Sequence, residues 1–228
     1  MNVAYLTGTN TTQLDITGSW FLPNLAKHTD VTILCYDFGL DVGEARILEG
    51  ESSPRRWRVI QDGVAGWKIP SDKYPWFFKP DAIQHALLEL GYDKVIWIDN
   101  DVEVRGSFDH IFDTIETGKL MLADDWYASK GYPGMKNTGV VGACAESLSI
   151  LEAWIWACEV GQRRGDQEAL YSWLQKDETR WEFISHMPIK YNTTRLHIQA
   201  HPEVEEGAVG IHWTGPVGKA HIRDMMND

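Results

Sequence analysis

What this 228-residue chain does without narrows the field before any motif is considered. No apolar run approaches the roughly 20 residues that a membrane-spanning helix needs, so no spanning segment is expected. The start, Met1-Asn2-Val3-Ala4-Tyr5, lacks a basic stretch followed by a long apolar one, and nothing marks the chain for secretion. Cysteine is scarce. Cys35, Cys144 and Cys158 are an odd number at wide spacings in apolar contexts, with no CxxC pair, which favours buried free thiols in a reducing cytoplasm over a disulfide framework. Basic residues are outnumbered, 21 Lys and Arg against 33 Asp and Glu, giving a formal net charge of −12. Those 21 are also scattered, so the footprint that a nucleic-acid backbone requires is missing and nucleic acid is not an expected partner. There are no repeats and no low-complexity linkers. The sequons Asn10-Thr11-Thr12 and Asn192-Thr193-Thr194 match a glycosylation pattern by letters only, and neither is expected to be modified in a cytoplasmic chain.

What is present reads as an ordinary globular protein, 43% apolar and 24% charged, long enough for one sizeable core and expected to form one domain over residues 1–228. Asn2 to Leu6 is a short β-rich run that ends in the polar loop Thr7-Gly8-Thr9-Asn10. Trp20, Phe21, Leu25 and Ala26 follow at near-helical spacing, and Val31 to Tyr36 has the length of a buried strand. From Gly39 to Lys73 the pattern is weak, with residues 51–56 reading as a surface loop and Trp57 to Ile60 as a short third strand. Lys79-Pro80 opens a helix whose stripe is Ile83, Ala86, Leu87 and Leu90, with Gly91 just past its end. The apolar strand Lys94 to Ile98 then runs directly into Asp99-Asn100-Asp101. Further strands are expected at Leu120 to Ala123, ending in Asp124-Asp125, and at Thr138 to Ala143, opening after Asn137. Helices are expected at Leu148 to Val160 and after Gly165-Asp166-Gln167-Glu168, and the tail from Gly210 reads as a short strand breaking into a turn-rich loop at Gly215-Pro216. Alternating strands and helices predict an α/β fold with a mostly parallel central sheet flanked by helices.

Residues two apart in an extended segment point to the same side, about 6.6 Å apart along the chain, so Asp99 and Asp101 are expected to face one site. Two carboxylates converging at the end of a buried strand repel unless a cation or protons neutralise them, and hard oxygen ligands suit Mg2+ or Mn2+. The end of a central strand is also where open α/β sheets bind ligands. Asp and Asn are equally at home in a simple polar turn, so the motif alone decides little.

Taken in order, Lys79-Pro80, the apolar strand, Asp99-x-Asp101, Asn137-Thr138-Gly139-Val140, Gly165-Asp166-Gln167 and His212-x-x-Gly215-Pro216 resemble a GT-A glycosyltransferase, with family 8 the nearest relatives. These motifs span residues 79 to 219, and the N-terminal β-α-β unit fits the nucleotide-binding half. The resemblance implies a GT-A, Rossmann-like domain with residues 1–101 holding the nucleotide and 102–228 the donor sugar and acceptor. It implies Mn2+, or Mg2+, held by Asp99, Asp101 and His212, and a UDP-sugar as co-substrate, with UDP-glucose a guess drawn from the family's commonest donors. Lys79 would contact donor phosphate or sugar, and Lys219 would assist at the diphosphate, although relatives usually place the latter lysine six residues after the histidine, where this chain has Gly218. Asn137, Asp166 and Gln167 would bond donor-sugar hydroxyls, Asp125 or Asp124 the sugar or an acceptor proton, and Thr7, Thr9 and Asn10 the base and ribose. Trp126 and Trp213 are acceptor-site candidates.

The resemblance also implies retention of anomeric configuration by front-face attack, an inverting route through Asp124, Asp125 or Asp166 being the alternative. The expected partners are a nucleotide-sugar donor and a carbohydrate or other hydroxyl acceptor, with self-association into a homo-oligomer left open.

Each of these residues has a plainer reading: Asn137 as a turn residue, Asp166 as a helix cap, His212 as a partly buried histidine, Lys79 as a solvated cation. Among competing functions, a haloacid-dehalogenase-type phosphatase also places DxD after an apolar strand, but after the first strand, and with Thr or Val where this chain has Glu103. A nucleotidyltransferase lacks its Gly-rich basic loop here, and a nucleotide-sugar-binding module without turnover is the non-enzymatic alternative.

Overall fold

The computed structural model describes residues 1–49, 57–61, 75–161 and 165–227. The expected β-α-β opening is present: β1 (Val3–Thr9), a helical stretch made of α1 (Leu14–Ile16), a π-helical turn (Thr17–Phe21) and α2 (Leu22–Ala26), then β2 (Thr32–Asp37). After α3 (Val42–Glu49) and β3 (Trp57–Ile60) comes α4 (Lys79–Leu88). The loop expected at 51–56 lies outside the described residues. Pro80 sits in the first turn of α4, where its missing N–H costs no helical bond, and the chain leaves past Gly91, whose φ of +70° suits a residue without a Cβ. That exit delivers the chain to β4 (Lys94–Ile98).

Downstream follow β5 (Val102–Val104), α5 (Ile111–Thr114), β6 (Leu120–Asp124), β7 (Lys136–Cys144), α6 (Leu148–Val160), α7 (Asp166–Leu174), β8 (Ile184–His186), β9 (Thr193–Thr194), α8 (Arg195–Ala200), β10 (Gly210–His212) and α9 (Gly215–Asn227). Seven strands form one sheet in the order β3-β2-β1-β4-β7-β6-β8. Only β7 opposes its neighbours, pairing antiparallel with both β4 and β6, so the sheet is mostly parallel as expected.

Both faces of this sheet are covered, which is why Val95 to Ile98 of β4 are apolar at successive positions rather than at alternate ones. Val95 and Trp97 point into a core shared with α4, α6 and α7, while Ile96 and Ile98 point into a second core with Phe21, Leu22 and Leu25 beneath the opposite face. Each of the four is at most 2% exposed. Burial at that level contributes up to about 1.5–3 kcal/mol per large side chain, enough to hold the end of β4 rigid.

A second sheet of three short strands, β5-β10-β9, sits beside the first. The chain enters β5 straight from Asp101, and β10 pairs antiparallel with it so that His212 lies opposite Val102. The tail differs from expectation: Gly215-Pro216 starts helix α9 rather than a turn-rich loop. Gly215 makes the corner at φ +74° and Pro216 takes an early helical position, so two residues that usually break structure here separate a strand from a helix.

Candidate active site

The paired carboxylates emerge from β4 through a turn, with the Val102 N–H donating to the Asp99 carbonyl at 3.1 Å, rather than in the extended form expected. Turn and ligand readings therefore coexist. Asn100, between them, donates to Thr17 Oγ1 at 2.8 Å, which ties the turn to the π-helical segment after β1. The Asp99 N–H donates to the Gly139 carbonyl at 2.8 Å and so extends the β4–β7 pairing by one bond. Between Leu122 and Ala123 the β6–β7 register shifts, leaving residues 138–140 of β7 unpaired with β6. This bulge brings Asn137, Thr138 and Gly139 to the carboxylates.

His212 arrives on β10, its Nε2 3.1 Å from Asp101 Oδ1 and 3.9 Å from Asp99 Oδ2. Its Nδ1 lies 3.1 Å from Asn137 Oδ1 and 3.2 Å from Asn192 Oδ1. The Asn137 oxygen already accepts from the Gly139 N–H and from Asn192 Nδ2, at 2.9 and 2.8 Å, so it is an acceptor and Nδ1 of the imidazole must carry the proton. In the neutral ring, Nε2 is then left with its lone pair aimed at the carboxylates, the orientation a metal-ligating histidine needs. Gly139 makes room for it, since a Cβ at that position would come within 2.2 Å of the imidazole. Asp99, Asp101 and His212 each offer one ligand atom, all within 4.8 Å of one another, and are the one such group among the described residues. Two carboxylate oxygens and an imidazole nitrogen fit a divalent cation of borderline hardness.

Two lysines flank the pair. Lys79, 1% exposed at the start of α4, lies 2.9 Å from Asp99 Oδ1 and 3.1 Å from Asp166 Oδ2, and donates to the Thr138 carbonyl at 2.8 Å. Burial pulls its ammonium toward the neutral form, but the Asp166 and Asp99 charges outweigh that and hold it protonated well into the alkaline range. Burial raises the Asp166 carboxyl, with Lys79 opposing the shift. Lys219 reaches Asp101 Oδ2 at 2.9 Å from α9. Burial acts to raise Asp101, yet Lys219 and His212 prevail and hold it below the usual carboxylate range. The position of this lysine is explained by Gly218, where a Cβ would fall 2.0 Å from the Trp213 carbonyl oxygen. The helix packs through its glycine and presents the next residue.

Two cavities meet at these groups, sharing Asp99, Asp166 and Gly215. The smaller, about 240 Å3, is lined by Asn137, Asp125, Gln167 and Trp126 among others. Asp125 Oδ2 accepts from Asn137 Nδ2 at 2.8 Å and Gln167 Nε2 at 3.2 Å, its Oδ1 accepts from the Tyr127 N–H, and Thr138 Oγ1 donates to Asp166 at 2.8 Å. The larger, about 620 Å3, is lined by Thr9, Asn10, Gln13, Phe38, Lys79 and Lys219 among others. Thr7 is not among its lining residues and is fully buried in β1. Trp213 also points elsewhere, donating from Nε1 to Glu103 at 3.0 Å. Asn192, Asn100 and Thr138 were not singled out as site residues by sequence. Asn192 lies in a sequon read by letters alone, yet it is fully buried and its side-chain oxygen lies 3.2 Å from Nδ1 of the carboxylate-facing His212.

No protein-family model matches the chain, and no curated protein matches it by sequence. Solved structures do. The galactosyltransferase LgtC in complex with donor and acceptor sugar analogues is similar over 98% of this chain and 95% of its own, with a TM-score of 0.65 at 14% identity. A glycosyltransferase involved in glycosylation of the major capsid of PBCV-1 is similar over 100% of both chains, with a TM-score of 0.63 at 14% identity. The apo-form glycosyltransferase GlyE of Streptococcus pneumoniae TIGR4 is similar over 93% of this chain and 54% of its own, with a TM-score of 0.62 at 17% identity. The fold is therefore GT-A. It is the arrangement that LgtC and the PBCV-1 enzyme share over nearly their whole length.

Proposed function

We propose that the chain is a metal-dependent glycosyltransferase that moves a hexose from a UDP-sugar, with UDP-glucose the working choice, to a hydroxyl acceptor with retention of configuration. One observation carries this reading: Asp99, Asp101 and a tautomer-locked His212 converge where two cavities meet in a GT-A fold. The same fold in solved glycosyltransferases supports it. Residues 1–101 would hold the nucleotide and 102–228 the sugar and acceptor, within one domain. The three cysteines, all free and buried, support a reducing cytoplasmic setting.

Mn2+ or Mg2+ bound by the triad supplies Lewis-acid neutralisation of the donor diphosphate. Lys219 adds a positive charge beside that diphosphate. Lys79 acts one step back, fixing Asp99 and Asp166 at once. Asn137, Gln167, Asp166 and Asp125 orient sugar hydroxyls, with Thr9 and Asn10 on the nucleotide side. Asp166 and Asp125 are each engaged by neighbouring donors, which favours front-face departure over a carboxylate nucleophile. The bond from C1 to the diphosphate oxygen breaks with its electron pair going to that oxygen. The acceptor hydroxyl oxygen bonds to C1 on the same face, and its proton passes to the departing diphosphate.

Donor hydrolysis in MnCl2 tests the proposal. Slow, metal-dependent release of sugar is expected, and its loss in Asp101→Ala; undiminished hydrolysis in that variant defeats the metal assignment. Tight donor binding with no hydrolysis or transfer would instead favour a module without turnover. An α-linked product from an α-linked donor is expected by NMR, and a β-linked one defeats retention.

A further inference from the structure

A strip of aromatic rings leads out of the smaller cavity onto the protein surface. Trp126 and Tyr127 line that cavity beside Asp125, Asn137 and Gln167. From Tyr127 the rings follow edge to face, with Tyr132 at 6.2 Å between centroids, then Tyr171 at 6.3 Å and Trp181 at 6.4 Å. Tyr127 and Tyr132 are 47% and 52% exposed, and neither phenol hydroxyl bonds to another described residue. Contiguous rings left in water mark an interaction surface.

The strip is held in place. Most of it rides on the segment between β6 and β7, closed at its base by the Asp125 N–H, which donates to the Met135 carbonyl at 3.0 Å. Within that segment the Lys130 and Tyr132 N–H groups both donate to the Tyr127 carbonyl, at 2.9 and 3.2 Å. The Tyr171 hydroxyl and Gln175 Nε2 donate to the Pro133 carbonyl at 3.3 and 3.4 Å. The Trp181 ring lies over Gly134, where a Cβ would come within 3.2 Å of it. Rings fixed beforehand lose little freedom when a ligand settles on them.

We propose that the acceptor is a neutral oligosaccharide whose units beyond the reacting one lie along Tyr127, Tyr132, Tyr171 and Trp181. The inference rests on the glycosyltransferase reading of the site and adds to it the class of acceptor. At about 240 Å3 the cavity is smaller than the roughly 300–1,000 Å3 of pockets that enclose a drug-sized ligand, and the donor sugar shares it. An acceptor longer than one unit therefore has to continue over the surface. Sugar rings present C–H faces and hydroxyl edges, which complement the apolar face and polar tip of tyrosine. Charge decides against an anionic polymer: the chain carries a net −12, Lys130 stands over the Trp126 ring at 4.8 Å, and Lys136 is paired with Asp124. None of the four rings is carried by a strand, so an extended peptide finds no backbone edge to pair with.

The test applies the labelled full chain, in MnCl2 and UDP, to an array printed with neutral monosaccharides, neutral and anionic oligosaccharides, and peptides. UDP affinity is measured in parallel by calorimetry. Wild type is expected to hold neutral oligosaccharides more tightly than monosaccharides, anionic glycans or peptides. Tyr132→Ala should weaken that binding about three- to tenfold, the scale of one aromatic contact, and Tyr132→Phe, which keeps the ring, should stay within about twofold of wild type. Both variants should bind UDP as wild type does. The inference is overturned if no neutral oligosaccharide is bound, if Tyr132→Ala binds one as tightly as wild type, or if that variant loses UDP in parallel. Binding of peptides instead of glycans overturns it in favour of a polypeptide acceptor. In each of these cases UDP binding by wild type leaves the donor reading standing, whereas its absence takes both down.

Discussion

Lys79 and Lys219 flank the same carboxylate pair and are held in opposite ways. Lys79 is 1% exposed and engages Asp99, Asp166 and the Thr138 carbonyl from the first turn of a helix buried against the main sheet. Lys219 is 26% exposed and, among the described residues, engages Asp101 alone, from a helix that follows the small sheet. A buried cation shared by two carboxylates is part of the scaffold, since removing it strands two charges out of water. A half-solvated cation on one carboxylate can be exchanged for another, with water covering the difference. The asymmetry separates the site into a fixed Asp99 side and an adaptable Asp101 side.

Substituting the buried lysine gives the largest expected effect. Lys79→Met leaves Asp99 and Asp166 facing one another without a counter-charge and should cost about 3–5 kcal/mol, read as a lower urea midpoint with an unchanged slope. An equal loss in Lys219→Met would abolish the distinction between the two sides.

Next in size is the glycine that seats the imidazole. Gly139→Ala brings a Cβ within 2.2 Å of the His212 ring, in a strand whose backbone is paired to β4 and cannot retreat freely. The histidine has to move, and Mn2+ affinity measured by electron paramagnetic resonance should fall by the upper part of the roughly 10–100-fold range typical of disturbed ligand orientation. Asn192→Ala removes one of two acceptors at Nδ1 and leaves Asn137 in place, so its loss should lie at the lower end of that range. Unaltered Mn2+ affinity in both variants would mean that His212 is not a ligand.

These two residues also mark where sequence reading stops. Strand β4 was legible because both of its faces are buried and the run is apolar throughout, and α4 because Pro80 and Gly91 bracket it. Lys79, Asp99, Asp101 and His212 were legible through their motif, but the contacts that orient them were not. The short strand from Gly210 was legible, but β9 has only two residues, too few for a period, and its pairing with β10 brings Asn192 beside His212. The resemblance pointed to Asn137-Thr138-Gly139, whereas the bulge that presents those residues is a register shift between β6 and β7, which no local pattern encodes. Thr7 shows the converse error: the polar segment was read as loop, while β1 continues through Thr9 and buries it.

The smallest effect on stability, and the sharpest probe of the contrast, belongs to Lys219. Because its ammonium is partly solvated and touches one carboxylate, Lys219→Met should cost under about 1 kcal/mol in the same urea titration. Without nucleotide, Mn2+ should bind this variant more tightly than wild type, because Asp101 loses a competing cation. With UDP present the order should reverse, since the positive charge that would meet the diphosphate is gone. A fall in Mn2+ affinity without nucleotide would place Lys219 with Lys79 as a fixed support of the carboxylate pair, and the contrast between the two sides of the site would disappear.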